Sequence, residues 1–345
     1  MRRFSALLLL IALLGGIPPS TSAAGVTVTD FRGKEISLPG PAERIVCLLE
    51  SALTGLYMLG AEDRLVGIST NVYQGTVFTY YAAMDERVRN KTLPTPGNWD
   101  FVNIENVVTL QPDLVIIWSH QEESIRAMEE KGIPVFGLFL KSFEDVHREI
   151  RALGELTGTG ERAEELVTHT EETLEDIRKR TSGLTEEERV RVYLMWAQGE
   201  LETAGKNSTG NELIELGGGV NVAAGIGQEH LVVNMENVLI WDPQVVVMWY
   251  NTRKDPADIM DLPVWRSISA AKNRRVHEFP DIFSCDFWTL KYLLVVEMVA
   301  KWCYPAQFAH IDLNMARIDL FQTFYGDKLP ASALPELSLE ERTEP

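Results

Sequence analysis

Residues 103–118, NIENVVTLQPDLVIIW, return 131 positions later as residues 234–249, NMENVLIWDPQVVVMW. Seven of the sixteen positions are identical, and most others exchange one apolar residue for another. Average residue usage would give about one identity. A period this long does not belong to a solenoid. It calls for two similar halves, each the size of a domain, and 345 residues with 45% hydrophobic content can bury a core in both.

Each copy has a physical reading. Asn103 and Asn234 are N-cap candidates, which puts Glu105 and Glu236 in a first helical turn, where the helix dipole favours negative charge. Pro112 and Pro243 stop these short helices. The runs 114–118 and 245–249 are continuously apolar and rich in β-branched residues, as expected of strands covered on both faces. Similar strands at 44–49 and 190–196 open the halves, each leading to a helix that ends in Leu-Gly, at Leu59-Gly60 and Leu216-Gly217. Strands alternating with helices predict an α/β fold with a mainly parallel sheet in each half. Between the halves, residues 143–180 carry apolar positions at helical spacing (Val146, Ile150, Leu153, Leu156, then Ala163, Leu166, Leu174, Ile177). Gly158 and Gly160 break the run, which predicts two helices, the second long and joining the lobes. The expected division is an N-terminal lobe at 25–145, a helical linker at 146–184, a C-terminal lobe at 185–328 and a disordered Glu- and Pro-rich tail at 329–345.

Charge and composition narrow the function. Lys and Arg number 32 against 50 Asp and Glu, a net charge of −18. No basic face is present to neutralise phosphates, and the same charge disfavours anionic lipid. Residues 1–24 read as a cleaved secretory signal peptide, with basic Arg2 and Arg3, an apolar run at 6–14, breakers Gly15, Gly16, Pro18 and Pro19, and small Ser22 and Ala24 before Gly25. No Cys stands at that junction, so a lipid-modified N-terminus is not expected. No other run reaches the ~20 apolar residues of a membrane helix. Cys47, Cys285 and Cys303 are too few and scattered for a zinc site. Cys47 reads as a buried strand residue, and a Cys285–Cys303 disulfide stays open.

The chain resembles the periplasmic substrate-binding proteins of ABC importers for ferric siderophores, haem or cobalamin. The resemblance is carried by Thr29-Asp30-Phe31-Arg32-Gly33-Lys34, by Arg44-Ile45-Val46 through Leu59-Gly60-Ala61-Glu62-Asp63 to Val66-Gly67-Ile68-Ser69, and by Pro112-Asp113-Leu114-Val115. It continues in Leu216-Gly217-Gly218, Asn221-Val222-Ala223, Ala300-Lys301-Trp302, Tyr304-Pro305 and Phe324-Tyr325-Gly326, covering about 26 to 327. It implies two lobes joined by one rigid helix, with the ligand cleft between them. It also implies a location in the periplasm and a partner, the permease dimer of the inner membrane with its cytoplasmic ATPase. Glu105 and Glu236 match the family's exposed carboxylates that dock on permease Arg residues.

In cobalamin-binding relatives an aromatic residue six before the docking Glu contacts ligand in both lobes. Trp99 fits that pattern, whereas its counterpart is His230, a candidate metal ligand or hydrogen-bonding group, with Glu229 beside it. Further ligand candidates fall at or after strand ends, Tyr73, Tyr80, Tyr81, Trp196 and Tyr250, and the resemblance adds Trp288, near Asp286, where relatives place ligand contacts. Trp118 and Trp249 read as ordinary packing. Arg253, with Lys254, is the cation best placed for an anionic ligand. So few cations point to a chelate of low negative charge, such as a corrinoid, a haem or a small metal complex, with no covalent cofactor. A molybdate- or tungstate-type oxyanion is the alternative. A chelatase-like enzyme using His230 and Glu229 is a weaker reading, because the sequence has no nucleophile triad, HExxH, phosphate loop or paired-carboxylate motif. A surface protein that senses or stores a chelate is the third.

Overall fold

The computed structural model describes residues 25–250 and 253–334. The proposed signal peptide therefore lies outside the described residues. An antiparallel hairpin, β1 (Val26–Thr29) and β2 (Glu35–Leu38), precedes the first sheet. That sheet contains β3 (Ile45–Cys47), β4 (Leu65–Ile68), β5 (Leu114–Trp118) and β6 (Val135–Leu138), all parallel, in the order β4-β3-β5-β6. The second half supplies β7 (Arg191–Met195), β8 (Glu202–Ala204), β9 (Val220–Asn221), β10 (His230–Val232), β11 (Val245–Met248) and β12 (Val276–Glu278). Here β9-β7-β11-β12 form a parallel sheet that matches the first place for place. Strands β8 and β10 depart from the repeat, pairing as a separate antiparallel ribbon.

The duplication extends to the backbone. Gln111 and Asp242, 131 residues apart and each preceding a proline, both take left-handed conformations with φ of +49° and +39°. Apolar runs make the central strands because helices cover both faces: Leu114 to Ile117 and Val245 to Met248 are fully buried. On the outer face of the first sheet Val46, Val115 and Ile117 pack with Val107, and on that of the second Val246 and Met248 pack with Val238.

The linker is two helices. Ser142 caps Phe143–Thr157, its hydroxyl accepting the Asp145 N–H at 3.2 Å, and Gly158 ends that helix at φ +67°. The second helix, Gly160–Thr181, has 22 residues, a rod of about 33 Å. Its Ala163, Leu166, Val167, Thr170 and Ile177 face inward, and its charged residues line the other side.

The two lobes are joined by a shared core as well as by this rod. Phe143 stacks on Tyr292 with ring centroids 3.8 Å apart, and the His147 Nε2 and Tyr292 hydroxyl are 2.8 Å apart. Tyr80 stacks on Phe283 at 4.1 Å. Leu329, read from sequence as the start of a disordered tail, is buried, and Lys328 before it pairs with Glu62. A single 3-10 turn, Ala331–Ala333, follows. Cys47, Cys285 and Cys303 are all free and buried. Cys285 has the Met298 sulfur, rather than Cys303, at 4.0 Å from its own.

Candidate functional site

Two short helices carry the repeated glutamates. In Ile104–Thr109 the Asn103 Oδ1 accepts the Asn106 N–H at 3.0 Å, and in Met235–Trp241 the Asn234 Oδ1 accepts the Asn237 N–H at 2.9 Å. Asn237 answers with its own Oδ1 on the Asn234 N–H at 3.3 Å. One valine per helix, Val107 and Val238, again 131 residues apart, is fully buried. Glu105 and Glu236 point away from that anchor and are exposed in the first turn.

Several candidates of the second lobe come together. Trp196 follows β7 and Trp249 follows β11, and adjacent parallel strands bring the rings to 5.6 Å. Trp288 lies 6.0 Å from Trp249, and Phe287 meets Trp249 edge-on at 4.6 Å. The β8–β10 ribbon places the His230 ring nearly parallel to Trp196, 6.2 Å away at 14°. His230 Nε2 lies 2.6 Å from Glu202 Oε2. Trp196 Nε1 is a buried donor with no acceptor among the described residues. Trp249, read from sequence as packing alone, is the ring that links Trp196 to Trp288. Tyr250 is half-buried and Arg253 exposed, while Lys254 pairs with Glu200. Asp286 Oδ1 accepts the Trp288 N–H at 2.9 Å, and burial raises its carboxyl pKa although Lys291 opposes the shift. Burial in turn pulls Lys291 down to about 8, against the pull of Asp286 and Asp281, with its ammonium 3.7 Å above the Phe283 ring.

In the first lobe Trp99 is 47% exposed, its carbonyl taking a hydrogen bond from the Gln121 side chain. Tyr73 donates its hydroxyl to the Leu93 carbonyl at 2.9 Å, leaving its ring half-buried beside Phe78 and Lys91. Tyr80 and Tyr81 do not line a surface open to solvent. Both are buried between the lobes, Tyr80 stacked on Phe283 and Tyr81 with its hydroxyl 2.7 Å from Thr54 Oγ1. Two adjacent tyrosines after a strand read as ligand candidates in sequence; in the structure both rings pack against Phe283.

The sequence reading missed Glu202 and Glu200, the carboxylates that hold His230 and Lys254. It also missed His120, whose ring lies nearly parallel to Trp118 at 6.1 Å. Among the described residues no group of three His, Cys, Asp or Glu is placed to hold a metal ion, so His230 has Glu202 and no third ligand. No described helix is long and apolar enough to cross a membrane.

Two equivalent parallel-sheet lobes on a long connecting helix define a bilobal binding protein. The periplasmic binding protein family model matches residues 45–282, and the chain belongs to that family. It is 25% identical to the molybdate-binding protein MolA of Haemophilus influenzae, over 92% of this chain and 95% of that one. The structure of MolA bound to molybdate gives a TM-score of 0.74, covering 87% of this chain and 97% of that chain. A periplasmic solute-binding protein from Veillonella parvula, also 25% identical, gives 0.75 over 92% and 98%. The vitamin B12-binding protein of Vibrio cholerae is 25% identical over 61% of this chain and 72% of its own.

Proposed function

We propose that this chain is the periplasmic solute-binding component of an ABC importer, holding a metal chelate between its lobes and delivering it to a permease dimer. Membership of the periplasmic binding protein family supports the class, and the relatives named above are binding proteins rather than enzymes. The observation that carries the ligand reading is the Trp196–Trp249–Trp288 wall with His230 upon it. Broad aromatic faces suit a flat or bulky complex, with the indole N–H and imidazole supplying polar contacts. Of the basic side chains nearby, His230 is hydrogen-bonded to Glu202 and Lys254 is paired with Glu200. A strongly anionic siderophore would meet those carboxylates as well, so a complex of low negative charge fits better. Trp99 is the facing contact from the first lobe, and Glu105 and Glu236 are the docking carboxylates.

A molybdate-type oxyanion is the second reading, favoured by the match to MolA along nearly the whole chain. Protein purified from its native host, with metal analysis and an absorption spectrum, separates the two. A visible tetrapyrrole or corrin band with stoichiometric iron or cobalt is the expected result. Colourless protein carrying molybdenum or tungsten overturns the chelate reading in favour of the oxyanion. Turnover of a metal and a tetrapyrrole by the pure protein would replace the carrier with an enzyme.

A further inference from the structure

The helices carrying Glu105 and Glu236 expose apolar side chains as well as acids. On the second, Leu239 and Ile240 stand three and four positions after Glu236, the spacing that shares a helix face, and are 42% and 80% exposed. On the first, Val108 stands three after Glu105 and is 38% exposed. Val108 and Leu239 are equivalent in the repeat. So are Phe101 and Val232, exposed by 65% and 76% in the segments that lead into the two helices. Single exposed apolar residues are ordinary, but equivalent ones around the same acid on both lobes form a repeated surface.

We infer that these residues form the apolar part of a docking surface for a basic, two-fold symmetric protein, a part distinct from the glutamates themselves. The inference rests on the docking reading of Glu105 and Glu236. Charge selects the partner. A second copy joined through this face would set acid against acid, and both it and an anionic lipid surface would meet a chain of net charge −18. Two equivalent patches call for a partner that presents the same seat twice, as a permease dimer does. The seats are unequally filled, because the position of Ile240 is occupied by Thr109 in the first lobe. The second lobe is the apolar anchor, while the glutamates set orientation and encounter rate.

The test measures binding of the full mature protein to its importer, permease and ATPase together, in lipid nanodiscs at about 0.15 M and about 1 M salt. Leu239→Ser/Ile240→Ser is expected to weaken binding about tenfold or more at both salts with an unchanged melting temperature. Glu105→Lys/Glu236→Lys is expected to lose binding mainly at low salt. If the serine variant binds like wild type while the lysine variant does not, the apolar surface is refuted and the glutamate docking stands. If the lysine variant binds like wild type, the docking reading itself fails. Equal binding to empty nanodiscs assigns the patch to lipid, and a wild-type dimer dissolved by the serine variant assigns it to a second copy; either result overturns the proposal.

Discussion

Arg191 closes the carboxyl end of the helix that bears Glu236, donating through its guanidinium to the carbonyl of Asp242 at 2.9 Å and of Trp241 at 3.3 Å. Arg44 does the same in the other lobe, to Leu110 at 2.7 Å and Gln111 at 3.0 Å, the carbonyls 131 residues earlier. Even the backbone N–H of each arginine is matched, bound by Asp113 in one lobe and Gln244 in the other. Helices of six and seven residues are unstable alone, and their last carbonyls are unpaired and electronegative. A cationic fork at that end fixes the pose of each glutamate from below.

Arg44→Ala is therefore expected to raise amide exchange across residues 104–111 without touching 235–242, and Arg191→Ala to do the reverse. The cost in global stability is on the order of 1 kcal/mol or less, since both arginines are exposed. Hydrogen-exchange mass spectrometry reads this directly. Arg44→Lys should rescue only part of the protection, because a point ammonium lacks the fork. Unchanged exchange in Arg44→Ala would show that the Asn103 cap and Val107 suffice.

Tyr81 separates stability from binding. Its hydroxyl shares a 2.7 Å hydrogen bond with Thr54 inside the junction, so Tyr81→Phe strands a buried Thr54 hydroxyl and should cost about 1–2 kcal/mol by urea denaturation. Affinity for the bound solute should not change. A loss of affinity without loss of stability would return Tyr81 to the cleft wall.

His230 behaves in the opposite way. It is about half exposed, so His230→Ala should leave the melting temperature nearly unchanged. Calorimetric titration with cyanocobalamin, haemin and molybdate should show affinity for whichever solute binds falling about tenfold, the worth of one directed polar contact. Glu202→Gln keeps a partner for the imidazole but removes the charge, and should fall between the two. Equal affinity in all three proteins would place the ligand away from this ring.

What could be read in advance was local. The strand Leu114–Trp118 is marked by an unbroken β-branched run, and the break at Gly158 by a residue that takes φ +67° at no cost. The pair of Asn103 and Asn234 showed where both glutamates would sit because a cap acts within four residues. The His230–Glu202 contact spans 28 residues through a ribbon of two three-residue strands, too short to announce themselves. The burial of Tyr80 and Tyr81 is illegible for a related reason. Their burial depends on Phe283, two hundred residues away, and no periodicity within the Gly75–Met84 helix encodes a partner from the other lobe.

The three cysteines give a chemical check. Burial pushes every thiol up, Cys303 to about 12, so none is a thiolate at neutral pH. Ellman's reagent should find no reactive thiol in the native protein and three in guanidinium, and a reductant should leave the melting temperature unchanged. Fewer than three thiols in denaturant without reductant would reveal a Cys285–Cys303 bond.

Acid stability turns on His277. Its ring stacks on Trp302 with centroids 4.8 Å apart, and burial, helped by Arg275, lowers its pKa to about 4. In the unfolded chain a histidine titrates near 6.5. Between those values the unfolded state binds a proton that the folded state refuses, so stability falls as pH drops from about 6.5 to 4, by up to about 3 kcal/mol. Burial lowers His147 as well, adding to the same slope. Glu297 acts the other way: burial and Asp319 raise it to about 7, so the folded state keeps a proton that the unfolded state releases above ~4.5, and stability falls as pH rises toward 7. Urea denaturation at pH 7, 5.5 and 4.5 should show His277→Gln losing about 2 kcal/mol less than wild type across that range, and Glu297→Gln losing more. Parallel curves for wild type and His277→Gln would mean that the imidazole is protonated where it lies.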